Sequence, residues 1–396
     1  MLSGILVNKF FAIYFGAPGI TLLAHFQNLV SLVTQVPNDG VNRGIIRYWS
    51  NPSLDSREKN HLLMAGLWLN LVIFLLSLVF IFMFRDYIFR YFNYSIVQTP
   101  SLWILFAAIL VYILNLFFLS VILSFQYIKP YAILNLIGAL AVAAAVIAGT
   151  GTRNINYALL SFLTGSAVNF LFTFYYVIRR RLVRPVSAGI STRDLKKLME
   201  FVLMALSVLA FGKLVEFYIR SMVIGRFGMN LTGLWQAVVK MSDGYTMVFI
   251  NTVGVVYYPQ VSALIFDPDE LRPYLRDVLK IVTALTVGGL LLVFACRYPL
   301  LSLLYNDTFR VAADLMPLQL IGDFFCILSY LLTYIISAQA RTSTFIALQG
   351  LSAVFYVLLI HFLIPWMQIM ALPAAHAIRY VLYFIILVFL NRRLLF

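Results

Sequence analysis

Residues Lys196–Gln260 decide the fold: KKLMEFVLMALSVLAFGKLVEFYIRSMVIGRFGMNLTGLWQAVVKMSDGYTMVFINTVGVVYYPQ. Two apolar runs meet in this stretch at a short turn, residues 225–230. Each run is long enough to cross a bilayer, which needs about 20 residues. The stretch therefore predicts two transmembrane helices joined by a tight turn.

Each of these two helices carries polar side chains at helical spacing, on one narrow face. The residues are Lys213, Glu216 and Arg220 on the first helix, and Gln236, Lys240 and Asp243 on the second. An unpaired charge in hydrocarbon costs several kcal/mol. We therefore expect these faces either to line a water-filled transport path or, as the simpler alternative, to form a buried network that only fixes packing.

The composition extends this prediction to the whole chain of 396 residues. Hydrophobic residues make up 62% and charged residues only 11%, whereas soluble domains have about 25% charged residues. An aromatic content of 16% suits belts of Tyr and Trp at membrane interfaces. The sequence predicts an all-α polytopic membrane protein with about 12 transmembrane helices.

A basic loop divides these helices into two halves of six. We expect a bundle over residues 1–180, a basic cytoplasmic linker over 181–197, and a second bundle over 198–396. A short sequence repeat supports this division into two halves. A Phe-Gly pair follows the first helix at Phe15 and Gly16, and another follows the seventh helix at Phe227 and Gly228. Parallel repeats of this kind recur in transporters.

Positive charge is distributed unevenly between the predicted loops. If the loop after the second helix is cytoplasmic, cytoplasmic stretches hold 18 of the 29 basic residues and the opposite face holds six. Excess Lys and Arg marks cytoplasmic loops, so we expect both termini in the cytoplasm. The same distribution explains most of the net charge of +14 without a nucleic-acid partner.

Further ionisable side chains fall inside predicted helices. Besides the two faces above, they are Lys9, His25, Asp323, His376 and Arg379. Inside the predicted helices there are five Lys and Arg residues and three Asp and Glu residues. This surplus of cations would attract an anion such as phosphate. Glu216, Asp243 and Asp323 are candidates for ion coupling, since a carboxylate in a low-dielectric setting can take up a proton near neutral pH. For Asp323 a structural role is an equal alternative, and for His25 packing is favoured over proton relay.

The sequence contains no motif for enzymatic chemistry. It has no P-loop, no GxSxG and no metal-ligand spacing. Two cysteines, Cys296 and Cys326, form neither a disulfide framework nor a metal cluster. We therefore expect a transporter without a cofactor rather than an enzyme.

Several stretches resemble Wzx-type lipid-linked oligosaccharide flippases, and within them the group that handles O-antigen or enterobacterial common antigen lipid III. They are EFVLMA from residue 200, GLWQA from 233, MSDGY from 241, YYPQVS from 257, LVNKFFAIYFGAPG from 6, LQLIGD from 318 and YIISAQA from 334. The resemblance covers nearly the whole chain. Relatives have a longer first helix than the run that ends at Phe15.

The resemblance implies the fold of the multidrug/oligosaccharidyl-lipid/polysaccharide exporter superfamily, two six-helix bundles that open alternately to either side. It also implies movement of undecaprenyl-diphosphate-linked oligosaccharide from the cytoplasmic to the periplasmic leaflet of the bacterial inner membrane. Expected partners are that substrate, membrane lipids, and the polymerase and chain-length regulator of the same pathway.

The two lines of inference together predict a site. Lys213, Arg220, Lys240 and Arg379 are expected to hold the diphosphate, with Lys9, His25 and Gln236 as further substrate residues. Glu216, Asp243 or Asp323 would couple transport to an ion. The alternatives are a multidrug antiporter of the same fold, which the cationic surplus disfavours, and a membrane scaffold of a polysaccharide assembly complex.

Overall fold

The computed structural model describes residues 2–49, 55–88, 99–125, 127–183, 192–264, 267–339 and 341–395. Within these ranges the chain is helical and contains no strand. A helix satisfies every backbone N–H and C=O inside its own segment, which hydrocarbon requires because it offers no hydrogen-bond partner. The prediction of an all-α polytopic membrane protein is confirmed.

The first half of the described chain consists of nine helical elements. They are α1 (Leu2–Gln35), a π-helical segment (Val36–Asn42), α2 (Arg43–Trp49), α3 (Ser56–Met83), α4 (Arg85–Ile88), α5 (Thr99–Ser124), α6 (Ile128–Gly151), α7 (Ile155–Arg179) and α8 (Thr192–Val208).

The second half is built in the same way. Its elements are a π-helical turn (Leu209–Leu214), α9 (Val215–Leu264), α10 (Pro268–Ala295), α11 (Arg297–Leu304), a 3₁₀ segment (Asp307–Leu315), α12 (Met316–Ala338), α13 (Thr342–Met367), a 3₁₀ turn (Gln368–Met370), α14 (Ala371–Leu390) and α15 (Arg392–Leu395).

Nine stretches of the described chain are long and apolar enough to cross a membrane. Three of them, of 44, 49 and 48 residues, are each long enough for two crossings. If each of these three stretches crosses twice, the described residues contain twelve crossings, which agrees with the number predicted from the sequence. Large apolar side chains lie open on the outside, as on Trp366, which is 81% exposed. Such exposure suits contact with lipid tails and is rare at this extent on soluble proteins.

The chain forms two compact units. The first comprises Met1–Phe15 with Leu22–Arg220, and the second comprises Gly16–Thr21 with Ser221–Phe396. The contacts thus divide the chain at Arg220, within α9, while the domain boundaries at 180 and 198 stay a prediction from sequence. Residues 184–191 of the expected basic linker lie outside the described residues.

Each unit has its own apolar core. In the first unit the π-helical segment packs with α2, α3 and α8 around Val41, Ile45 and Leu62. In the second unit α12 is the central helix, and Leu331 and Ile335 lie at the centre of its packing against α10 and α14. Two buried apolar centres in one chain explain why two units form.

Two glycines bend the longest helices. Gly16 in α1 has φ 62° and ψ −156°, and Gly228 in α9 has φ 78° and ψ 175°. Both are left-handed φ values that residues with a Cβ rarely adopt. The two Phe-Gly pairs of the sequence therefore mark the points where the first and the seventh predicted helices end and the next ones begin. The predicted turn at residues 225–230 contains Gly228, whose backbone is not helical, so two helices meet there.

The residues just after the two kinks pack against each other inside the second unit. Thr21 donates its hydroxyl to the carbonyl oxygen of Met229 at 2.7 Å. A Cβ placed on Gly233 would lie 1.9 Å from the carbonyl oxygen of Ala17. Backbone therefore meets backbone at Gly233, and any side chain there would force the two segments apart.

This contact predicts a position-specific effect of adding one methyl group. Gly233→Ala should lower the free energy of unfolding by about 1–3 kcal/mol or more, the usual cost of overpacking. The matched control is Gly288→Ala, because Gly288 is helical and has nothing within 4 Å of its Cβ direction. Thermal unfolding of both variants in detergent, followed by tryptophan fluorescence, makes the comparison. Equal midpoints for the two variants would contradict the close approach.

Candidate functional site

The first predicted polar face begins at the π-helical turn that precedes α9. The Nζ of Lys213 lies 3.0 Å from Oε2 of Glu216, so the two side chains form an ion pair along the helix. The Lys213 side chain is 34% exposed and that of Glu216 is 49% exposed. A pair this open contributes little to stability, so both charges are accessible to a ligand.

Arg220, at the next position of the same face, is in a different environment. Its side chain is 7% exposed, and one Nη donates to the carbonyl oxygen of Ala24 at 2.9 Å. His25 is fully buried beside it, with its ring stacked on Phe217 at a centroid distance of 4.5 Å. Arg220 and His25 thus belong to one buried polar and aromatic cluster of the first unit.

The second predicted face varies in exposure along its length. Gln236 is buried, Lys240 is half-buried and Asp243 is exposed. Lys9, on α1, is also half-buried. The predicted cations are divided between the two units, and their convergence on one ligand stays a prediction.

Asp323 on α12 is 1% exposed and makes contacts to polar side chains from three helices. Its Oδ1 accepts a hydrogen bond from Ser242 Oγ at 2.7 Å and from Gln319 Nε2 at 3.1 Å. His376 Nε2 lies 2.9 Å from the same oxygen. The hydroxyl of Tyr245 donates to Oδ2. We call these five residues the acid cluster.

Three helices build the acid cluster. α9 supplies Ser242 and Tyr245 from one face, three residues apart, and α12 supplies Gln319 one turn before the carboxylate. α14 supplies His376, whose ring fits because its neighbour on α12 is Gly322. A Cβ at Gly322 would lie 2.1 Å from Cδ2 of the imidazole. Any larger residue there would displace His376 from the carboxylate.

The acid cluster places a carboxylate and an imidazole in a buried setting where charge must be paired or hydrogen-bonded. His376 Nε2 and Asp323 Oδ1 lie within hydrogen-bond distance, so one hydrogen lies between the imidazole and the carboxyl group. Both are side chains that can donate or accept a proton.

The sequence identified only part of the acid cluster. Asp323 and His376 stand out as ionisable residues inside apolar helices, but nothing in the one-dimensional pattern pairs them across helices. Tyr245 was missed. The available signal was its spacing from Ser242, which places both side chains on one face of α9 beside the conspicuous Asp243.

Arg379, one turn beyond His376 on α14, is the remaining predicted cation. Its Nε donates to Ser352 Oγ at 2.7 Å, and the guanidinium lies over the rings of Tyr356 and Tyr380 at 4.9 Å from each centroid. It lines a cavity of about 230 Å³ in the second unit.

The part of the chain that the structure describes contains no candidate metal site. Among those residues, no group of three or more His, Cys, Asp or Glu side chains is placed to hold an ion. Cys296 and Cys326 are both free thiols.

Comparisons with known proteins match nearly the whole chain. Residues 19–314 match the family described as polysaccharide biosynthesis protein. The lipid III flippase of Escherichia coli K12 is 23% identical over 96% of this chain and 92% of its own length. The lipid III flippase of Shigella flexneri matches to the same extent.

Solved structures show the same fold at low identity. An inward-facing multidrug resistance transporter of the MATE family, of the MOP superfamily, superimposes with a TM-score of 0.78 at 13% identity, covering 98% of this chain and 92% of its own. The lipid II flippase MurJ in an inward closed conformation gives 0.72 at 15% identity, covering 99% and 85%.

Proposed function

The chain belongs to the polysaccharide biosynthesis protein family, and from this premise we propose that it moves a lipid-linked oligosaccharide between the two leaflets of a membrane. The observation that carries the proposal is the match to the lipid III flippase of E. coli, which spans 96% of this chain. The substrate class we propose is an undecaprenyl-diphosphate-linked oligosaccharide, moved by alternating access without a catalytic step.

Physical chemistry explains why such cargo needs a protein. A sugar chain and a diphosphate lose their hydrogen bonds to water in hydrocarbon, and each unsatisfied polar group costs about 2–7 kcal/mol. Polar and cationic side chains inside the helices can replace that hydration while the lipid tail remains in the bilayer. Lys and Arg suit this role because both bind phosphate, Lys as a point charge and Arg through its fork of N–H groups.

We assign the substrate roles to the intramembrane polar residues. Lys213, Arg220, Lys240 and Arg379 are proposed to hold the diphosphate, and Lys9, His25 and Gln236 are proposed as further substrate residues. The accessibility of Lys213 and the half-buried position of Lys240 support this assignment. Arg220 would move from the Ala24 carbonyl oxygen to a phosphate oxygen, exchanging a neutral acceptor for a charged one.

We further propose that Asp323 couples transport to an ion, with a proton as the first candidate. Its burial and its contact with His376 support this choice. Glu216 and Asp243 are weaker candidates, since Glu216 is paired with Lys213 and Asp243 is exposed.

The proposed location is the bacterial inner membrane, with both termini in the cytoplasm as the distribution of basic loops suggests. The polymerase and the chain-length regulator of the same pathway are proposed partners. Multidrug export stays the alternative, because the MATE fold superimposes well, but a shared fold does not fix the substrate.

Removing a proposed phosphate ligand should slow transport. Arg220→Ala and Lys240→Ala should each reduce translocation of undecaprenyl-diphosphate-linked oligosaccharide in liposomes by about tenfold or more, because hydrogen bonds to charged groups are worth about 1.5–3 kcal/mol. Arg220→Lys should retain part of the rate because it keeps the charge.

Matched controls are Arg226→Ala and Lys280→Ala, since both side chains are exposed. Their transport should equal that of the unaltered protein. Normal transport by both site variants, at equal reconstitution, would contradict the assignment of the diphosphate ligands. Efflux of a cationic drug instead of glycolipid transport would favour the multidrug alternative.

Proton coupling predicts a change in the response to a pH gradient. Imposing a gradient across the liposome should accelerate transport by the unaltered protein, whereas Asp323→Asn should transport at one rate with or without it. The amide keeps the shape of the side chain but cannot exchange a proton. Asp277→Asn, at a side chain that is 71% exposed, is the control.

The same measurement on Glu216→Gln and Asp243→Asn shows which of the three carboxylates couples transport to the proton. A gradient response that survives in Asp323→Asn and disappears in either of these variants would transfer the coupling role to that residue.

A further inference from the structure

Arg379 lies between two cavities of opposite character in the second unit. The first, which we call the tyrosine cavity, is enclosed by α12, α13 and α14, and its walls include the rings of Tyr330, Tyr334, Tyr380 and Tyr383. Side-chain polar groups of Ser329, Thr333 and Gln349 also face it. A wall of aromatic faces with a few hydroxyl and amide groups is typical of sites that bind one ring and orient it by hydrogen bonds.

The second cavity, which we call the apolar groove, lies on the other side of Arg379. It has a volume of about 170 Å³ and is lined by Leu348, Leu351, Phe355, Leu382 and Ile386. Leu351 is 58% exposed and Leu382 is 39% exposed, so the groove opens toward the outside of the helices. A hydrocarbon chain fits such a lining, because almost all of the surface that faces the groove is apolar.

Three residues line both cavities: Arg379, Ser352 and Tyr383. The guanidinium is therefore the polar boundary between the tyrosine cavity and the apolar groove. Its orientation is fixed by the hydrogen bond from Nε to Ser352 Oγ at 2.7 Å and by the rings of Tyr356 and Tyr380. Among the described residues, its contacts are to this hydroxyl and these rings, and none is to a carboxylate. The two Nη groups are thus left to bind an acidic group of a ligand.

The sizes limit what the two cavities can hold. A volume of about 230 Å³ corresponds to roughly eight water molecules at about 30 Å³ each. Both cavities are smaller than the ~300–1,000 Å³ that encloses drug-sized ligands. The tyrosine cavity therefore takes one sugar ring rather than an oligosaccharide, and the apolar groove takes the first few carbons of a chain.

We infer that this part of the second unit is a binding site for the junction of the cargo, where a sugar, a phosphate and a hydrocarbon chain meet. The phosphate lies at the Nη groups of Arg379, the sugar next to it enters the tyrosine cavity, and the chain begins along the apolar groove. The inference rests on the proposed function. It adds that Arg379 selects ligands in which a phosphate joins a sugar to a hydrocarbon chain.

A ligand with three separable parts gives a direct test. Decyl phosphate linked to glucose contains all three, decyl glucoside lacks the phosphate, and glucose 1-phosphate lacks the chain. Binding to the protein in nanodiscs of neutral lipid is measured by calorimetry. The complete molecule should bind at least tenfold more tightly than either partial one, since each lacks one set of contacts. Equal affinity for decyl glucoside and the complete ligand would overturn the role of Arg379.

Variants test the same site from the protein side. Arg379→Gln should lose at least tenfold in affinity for the complete ligand, and Arg379→Lys should lose less. The matched control is Arg297→Gln, because Arg297 also lies over two rings, Phe294 and Tyr298, but on an exposed surface. The inference fails if Arg379→Gln binds as the unaltered protein does, or if Arg297→Gln loses as much.

The groove has its own variant. Leu351→Trp should block it and weaken binding of the decyl ligand while leaving glucose 1-phosphate unchanged. This exposed position accepts a larger side chain without disturbing the core.

A general site for anionic lipids is the competing explanation. Phosphatidylglycerol added to the nanodiscs should displace the complete ligand only weakly, because it offers no sugar ring. Displacement at equal concentration would overturn the inference. These binding measurements require no transport, so a negative result here and a failure of glycolipid translocation are separate outcomes.

Discussion

The cost of a polar group without a partner in hydrocarbon determines most of this structure. That cost makes every described segment helical, since only a helix satisfies its own backbone inside a membrane. It also decides where the charged side chains lie. Asp323 is buried because three helices bring donors to its carboxylate. Lys213 and Glu216, which form an ion pair with each other, remain partly exposed.

The two glycine kinks show how a repeat in sequence becomes a repeat in structure. Gly16 and Gly228 have the same left-handed backbone conformation, and the segments that follow them touch at Gly233 and Ala17. The hydroxyl of Thr21 donates to the carbonyl oxygen of Met229 at the same place. Close packing of small residues and this hydrogen bond thus hold the two described segments together.

The apolar runs alone predicted the fold class, the twelve crossings and the candidate charges, because hydropathy is a local property of the chain. Partnerships between helices could not be predicted in this way. The acid cluster joins residues about 80 and 50 positions apart, and the enclosure of Arg379 by tyrosines depends on how α12, α13 and α14 pack. The sequence also placed Arg220 and Lys213 on one face. Their environments differ in the structure, because Arg220 is buried and donates to the carbonyl oxygen of Ala24, whereas Lys213 is half-buried beside Glu216.

The account depends on recognition of a diphosphate by cations inside the membrane. The most direct test compares two glycolipids with the same oligosaccharide and the same polyprenyl chain, one joined by a diphosphate and the other by a neutral ether. Their translocation by the purified protein is measured in the same liposomes at low salt. We expect the diphosphate compound to cross at a protein-dependent rate and the neutral compound to stay in its leaflet. Equal rates for the two compounds would contradict the account.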